Sequence, residues 1–138
     1  MRNINTIVLK GGNHHEEHKA GSNDIRPGMS VTIDADNRCR PAEDTSQGMY
    51  FAKEDALQGR TIDDLYLPED IVFLYRPNEG DHIHILVASG QTVNVGDLGT
   101  ILEGKGVVED TPDFQYLEAS DGALTKDTHL KARILGSN

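Results

Sequence analysis

The sequence predicts an all-β protein: a small β-barrel or β-sandwich with an extended N-terminal arm. Short runs of β-branched and aromatic residues recur along the chain, separated by Gly, Pro, Asn and Asp. Fourteen Gly and five Pro in 138 residues suit many tight turns rather than long helices. No stretch carries the pattern of a βαβ unit, and no internal repeat stands out.

Taken in order, residues 1–10 read as a strand, with Ile4, Thr6 and Val8 on one face and Asn5, Ile7 and Leu9 on the other. From Lys10 to Asp24 the only apolar side chain is Ala20. Such a stretch cannot offset its ordering entropy by burial, so it reads as a polar linker or as an arm ordered by another subunit. The expected division is therefore an arm over residues 1–24 and a compact β domain over 25–138. Pro27-Gly28 makes a turn into a half-buried strand with Met29, Val31 and Ile33 on one face. A turn at Ala35–Arg38 leads to a short return strand carrying Cys39, and Pro41 stops it. Residues 42–48 are polar loop, and Met49–Ala52 is another short strand. Between Lys53 and Asp70, Glu54–Gln58 and Ile62–Tyr66 each offer about one helical turn, with Thr61 as N-cap of the second.

The stretch from Ile71 to Gly104 reads as an antiparallel meander. Ile71–Tyr75 does not alternate and is expected to be covered on both faces. In His82–Val87, Ile83, Ile85 and Val87 share one face, and His82, His84 and Leu86 share the other. Lys105–Glu109 and Phe114–Ala119 follow as strands. Leu130–Leu135 closes the chain, with Leu130, Ala132 and Ile134 opposite Lys131, Arg133 and Leu135.

Composition limits the partners. Net charge is −10, which disfavours nucleic-acid phosphates and anionic membrane surfaces. One cysteine excludes an internal disulfide framework. No apolar span approaches the length of a membrane helix, and the N-terminus lacks the apolar core of a signal peptide. Only 36% of residues are hydrophobic, so the core is expected to be thin and completed by a partner.

The chemical readings are weak. His82-Ile83-His84 resembles the His-x-His pair of metal-binding cupin barrels, but Ala88 and Ser89 stand where the family has Glu, and Arg76 stands where it has Gly. His14, His15 and His18 lack a rigid frame for a metal. Cys39 lies between Arg38 and Arg40, which would lower its pKa, but the sequence places no base beside it. Neither a Gly-x-Ser-x-Gly elbow nor Walker spacing is present. Expected catalytic residues, metals and cofactors are none. A protein of this kind acts by contact, and the alternatives are a cupin-like metal enzyme or a stand-alone carbohydrate- or protein-binding module.

An ordered set of segments resembles the small capsid decoration, or cement, proteins of tailed bacteriophages. The set comprises Asn5–Gly11, Ile25-Arg26-Pro27-Gly28-Met29, Ala52–Asp64, Arg76–Asp81, Val95–Leu98 and Arg133–Leu135. The resemblance implies a β-barrel-like domain on the outside of an icosahedral head, made in the host cytoplasm and binding the major capsid protein. Neighbouring copies, as a homotrimer on the capsid, are the second implied partner; nucleic acid and membrane are not. It implies an anchoring strand over Asn3, Ile4, Asn5, Thr6, Ile7, Val8, Leu9 and Lys10, added to a sheet edge of the capsid or a neighbouring copy. It further implies interface loops at Gln58, Arg60, Thr61, Ile62 and Asp63 and at Arg76 and Pro77.

Overall fold

The computed structural model describes residues 6–10, 15–22, 24–47, 50–54 and 61–135. Among these residues the regular structure is strand, as the sequence predicts, apart from a 3-10 turn at Thr45–Gln47. The strands are β1 (Val8–Lys10), β2 (His15–Ala20), β3 (Ser30–Ile33), β4 (Arg38–Pro41), β5 (Tyr50–Ala52), β6 (Ile71–Tyr75), β7 (His82–Val87), β8 (Leu98–Leu102), β9 (Lys105–Val108), β10 (Phe114–Tyr116) and β11 (Thr128–Ile134).

Strands β2 to β6 form a closed barrel in the order β2-β4-β3-β5-β6. Strands β7 to β11 form a sheet in the order β7-β11-β10-β8-β9, with β1 on the outer edge of β7. A parallel bridge between Val87 and Gly106 joins β9 back to β7, so this sheet also rings round.

Two expectations change here. Ile71–Val87 is not a hairpin: β6 pairs with β2 and β5, whereas β7 pairs with β1, β9 and β11. Both edges of β6 are filled within the first barrel, so Arg76–Asp81 is the link between barrels. The polar stretch before Asp24 is not all linker either. His15–Lys19 pairs antiparallel with Tyr75–Ile71, and Lys19 and Ala20 pair parallel with Arg38 and Cys39. Backbone hydrogen bonding on two edges orders a strand in which, over residues 16–20, only Ala20 is fully buried, at 1% exposed. The boundary expected at 24/25 thus falls inside the first barrel.

The two rings share one pairing plan. In each, the first strand pairs antiparallel with the fifth, the fifth with the fourth, the fourth with the second and the second with the third, and the third returns parallel to the first. The registers coincide as well. The parallel closures are Ala20↔Cys39 and Val87↔Gly106, beside Gly21 N–H to Cys39 O (2.8 Å) and Ala88 N–H to Gly106 O (3.0 Å). The Gly28 N–H donates to Ala52 O and the Gly96 N–H to Tyr116 O, both at 2.9 Å. The returns are Ala52 N–H to Met29 O (3.0 Å) and Tyr116 N–H to Asp97 O (2.8 Å). Gly28 and Gly96 take φ of 91° and 94°, the left-handed region that glycine enters without penalty. The chain is therefore a tandem repeat of one five-strand unit.

The repeat is hidden because the cores are filled differently. In the second ring the Tyr116 ring fills space that lacks side chains at Gly99 and Gly106. A Cβ at Gly99 would lie 2.7 Å from Tyr116 Cε2, and one at Gly106 would lie 2.8 Å from its hydroxyl. At the matching positions the first barrel has Ala52, Val31 and Cys39, all buried together. One large side chain with two glycines has been exchanged for three of small to medium size, which conserves filled volume.

Two apolar clusters result. One holds Ile25, Val31, Cys39, Tyr66, Val72 and Leu74 of the first barrel. The larger holds Ile83, Ile85, Val87, Ile101, Phe114, Tyr116, Leu130, Ala132 and Ile134, and draws in Phe51, Ile62 and Tyr75 from the first barrel and Ile7 from the segment before β1. Phe51 and Tyr75 face this second cluster while Ala52, Val72 and Leu74 face the first. The other face of β6 is covered only towards Tyr75, since Phe73 is half-buried and Ile71 exposed, so the expected cover on both faces is not complete.

Candidate functional site

The barrels meet along a hydrogen-bonded seam. The Leu86 N–H donates to Gly28 O (3.0 Å), Ser30 N–H to Gly104 O (2.8 Å) and Glu103 N–H to Glu43 O (2.8 Å). Asp113 accepts from both Thr45 and Thr100 hydroxyls. At the linking turn, buried Asp81 accepts from the Tyr75 hydroxyl and from the Asn78 N–H. These bonds join the two rings at several separate places.

Beside the seam opens a polar cleft of about 680 Å³, lined by Arg26, Ile62, Asp63, Ser89, Asp127 and His129 among others. His129 is 5% exposed. Its Nε2 lies 2.7 Å from Pro27 O, which makes Nε2 the protonated nitrogen of a neutral ring. The Nδ1 lies 4.0 Å from Asp63 Oδ1. Burial holds the His129 pKa below the ordinary histidine value; the Pro27 carbonyl and Asp63 act against this, and His84 and Arg26 act with it. The Arg26 Nε is buried without a hydrogen-bond partner among the described residues. Burial pushes the Asp127 carboxyl up, but the Lys105 ammonium at 2.8 Å and the Ser89 N–H outweigh it and hold the group low. The cleft thus presents a neutral buried imidazole among mixed charges.

The pH dependence follows from that histidine. Well above pH ~6.5 neither folded nor unfolded His129 carries a proton, and its contribution is complete. As pH falls toward the lowered folded value, the unfolded chain binds a proton that the folded chain resists, and stability drops. His82, whose pKa is lowered by burial and by Lys10, Lys131 and Arg133, adds in the same direction. The urea midpoint is expected to be lower at pH 5.5 than at pH 7.5, with the difference reduced in His129→Gln. An equal pH difference in that variant would show that other groups carry it.

The sequence-selected residues are dispersed. Asn3, Ile4, Asn5, Gln58 and Arg60 lie outside the described residues, as does most of the first single-turn segment. Thr6–Lys10 are laid on the chain's own β7. Ile7 is fully buried, its carbonyl accepts the His84 N–H (2.8 Å), and its N–H donates to Glu54 (3.0 Å). Within residues 6–10 the expected anchoring strand therefore completes its own sheet. Thr61 and Asp63 are exposed, the Thr61 N–H donating to Asp64 and Asp63 lining the cleft, whereas Ile62 is 3% exposed and packs in the larger core. Arg76 is exposed, its guanidinium 5.8 Å from the Tyr50 ring centroid, and Pro77 is buried.

The histidine pair separates. His82 is half-buried, while His84 is 8% exposed with Nδ1 3.0 Å from Thr6 O. Among the described residues no group of three His, Cys, Asp or Glu could hold a metal ion. His14 and the His15 side chain lie outside that description. Cys39 reverses its expected electrostatics: burial first, then Asp34 and Glu16, pushes its thiol up to about 12. Arg40 is engaged by Asp34 at 2.7 Å and Arg38 by Glu69, so neither guanidinium is left to activate the thiol. Thiol reagents are expected to label Cys39 only on unfolding; rapid labelling of the folded chain would refute its burial.

Arg26, Asp127 and His129 were not singled out from sequence. The signal was available for His129. The last strand begins at Thr128 rather than Leu130, and two-residue spacing puts His129 on the face of Lys131 and Arg133. No protein-family model matches the chain, and no curated protein matches it.

Proposed function

We propose that the protein is a structural component of the virion, docking on the outer surface of a tailed-bacteriophage head and bridging capsomers of the major capsid protein. The carrying observation is a group of exposed apolar side chains close in sequence. Leu65 (40% exposed), Leu67 (56%) and Ile71 (38%) follow directly on the Thr61–Asp63 loop. Buried Ile62 just before them and buried Tyr66 among them fix the segment to the fold, and the Tyr66 hydroxyl donates to Lys53 O (2.6 Å). Large apolar side chains held out by buried neighbours suit a contact surface. The ordered resemblance to decoration proteins supplies the class of partner.

The tandem barrels support the same role. A bridging protein must hold two contact faces in fixed relation, and the hydrogen-bonded seam provides that. Modest contacts on two capsomers gain from high effective concentration, and association of copies on the capsid would add to it. The test is to mix the protein with expanded, undecorated heads and image them. Saturable density at symmetry-related positions, reduced by Leu67→Asp, is expected. Heads that remain bare at saturating protein would overturn the reading.

A further inference from the structure

In a chain of net charge −10, one sheet face is basic. Lys10 on β1 stands opposite His82 on β7, and His82 stands opposite Arg133 on β11. One step along, His84 stands opposite Lys131. Directly opposed residues lie roughly 5 Å apart and alternate residues about 7 Å, so these groups fill a compact patch. Ile83, Ala132 and Ile134 point the other way, into the core, which sets the basic side chains on the outside. Lys10, Lys131 and Arg133 are exposed. The ion pairs between described residues use Lys19, Arg38, Arg40, Lys105 and His129, and none uses these three.

Among the described residues three carboxylates adjoin the patch, and all are engaged: Glu54 accepts the Thr6 hydroxyl at 2.9 Å and the Ile7 N–H at 3.0 Å. Asp81 accepts from Tyr75 and Asn78, and Glu118 accepts the Lys131 backbone N–H at 3.0 Å. Among the described residues the Arg133 guanidinium donates to neutral Gln115, at 3.0 Å. The three cations act on one group, since Lys10, Lys131 and Arg133 all oppose protonation of His82. Lys131 and Arg133 stand two residues apart on one face of β11, with Lys10 beyond His82, so like charges are gathered there, although a chain with 23 acidic residues has ample acid to neutralise them.

We infer that the outer face of β1, β7 and β11 around Lys10, His82, Lys131 and Arg133 is a docking surface for an acidic segment of a partner protein. Carboxylates seated over the patch would relieve its internal repulsion, so complementarity is gained where the free protein is least content electrostatically. A nucleic-acid backbone fits less well, because a long polyanion would run off this patch onto the acidic remainder of the surface. The surface lies on the second barrel, apart from the Leu65, Leu67 and Ile71 group, and the inference does not depend on the capsid reading.

The test uses the full chain and a short poly-glutamate peptide, with a poly-lysine peptide and a single-stranded DNA oligonucleotide of matched length as comparisons. Poly-glutamate is expected to bind saturably at low salt and to raise the titration midpoint of His82 read by NMR. Binding should weaken about tenfold in the Lys131→Gln/Arg133→Gln variant, the scale of removing two interface charges, and should fade at high salt. Both side chains are exposed, so the variant should keep or raise the thermal midpoint. If it does not fold, Lys10→Gln gives the same test on a separate strand. An unmoved His82 midpoint, unchanged affinity in the folded variant, or tighter binding of DNA at the same residues would each overturn the inference.

Discussion

Removal of residues 1–20 is expected to unfold the first barrel, not to release an arm. β2 closes that barrel, pairing with β6 from His15↔Tyr75 to Lys19↔Ile71 and with β4 through Lys19 and Ala20. Deleting it strips one edge of each neighbour and opens the ring. The same deletion removes Ile7, fully buried in the larger core; loss of a core side chain of that size alone costs about 2–5 kcal/mol. Against a total stability of ~5–15 kcal/mol for an ordinary domain, losing a strand as well should leave no cooperative transition in the first barrel. Thermal unfolding by circular dichroism, with amide exchange to locate the loss, checks it. A truncated chain melting sharply at the full-length midpoint would show that β2 is dispensable.

The two matched glycines give the second large effect, and a contrast. Gly28→Ala places a Cβ 2.8 Å from His129 Cδ2 and 3.0 Å from the Leu86 nitrogen, within the seam that Leu86 and His129 bond to Gly28 and Pro27. It also forces alanine to φ near 91°. Left-handed strain of ~1–2 kcal/mol and overpacking of ~1–3 kcal/mol together predict a loss of roughly 2–5 kcal/mol. Gly96→Ala carries the same backbone demand, at φ 94°, but its Cβ meets nothing within 4 Å. That variant should lose only the strain. Urea unfolding of both measures the difference, which is the energetic sensitivity of the seam. Equal losses would mean that the barrels are not coupled through this contact.

Much of the strand content was legible because it rests on local alternation. Ile83, Ile85 and Val87, and Leu130, Ala132 and Ile134, share core faces as two-residue spacing requires. The Pro27-Gly28 turn was legible because Gly28 has to supply a positive φ. β2 was not legible, since a strand held by backbone pairing on both edges needs few apolar side chains. The grouping around the cleft was illegible for a related reason: Arg26, Asp63, Asp127 and His129 are brought together from three distant parts of the chain by the seam.

By itself the sequence determined an acidic all-β protein with strands near their observed places, because hydrophobic alternation and turn chemistry act over a few residues. Only the tertiary structure decided which strands pair. Ile71–Val87 resembles a hairpin locally, yet its two strands belong to different rings because β2, β5, β1, β9 and β11 take their edges. The tandem repeat lay equally out of reach. Backbone registers repeat from one ring to the next, while the volumes of Tyr116, Gly99 and Gly106 are redistributed over Ala52, Val31 and Cys39. Hydrogen-bond geometry fixes register residue by residue, whereas packing constrains only the sum of volumes in a core, and so the repeat survives in the pairing and not in the letters.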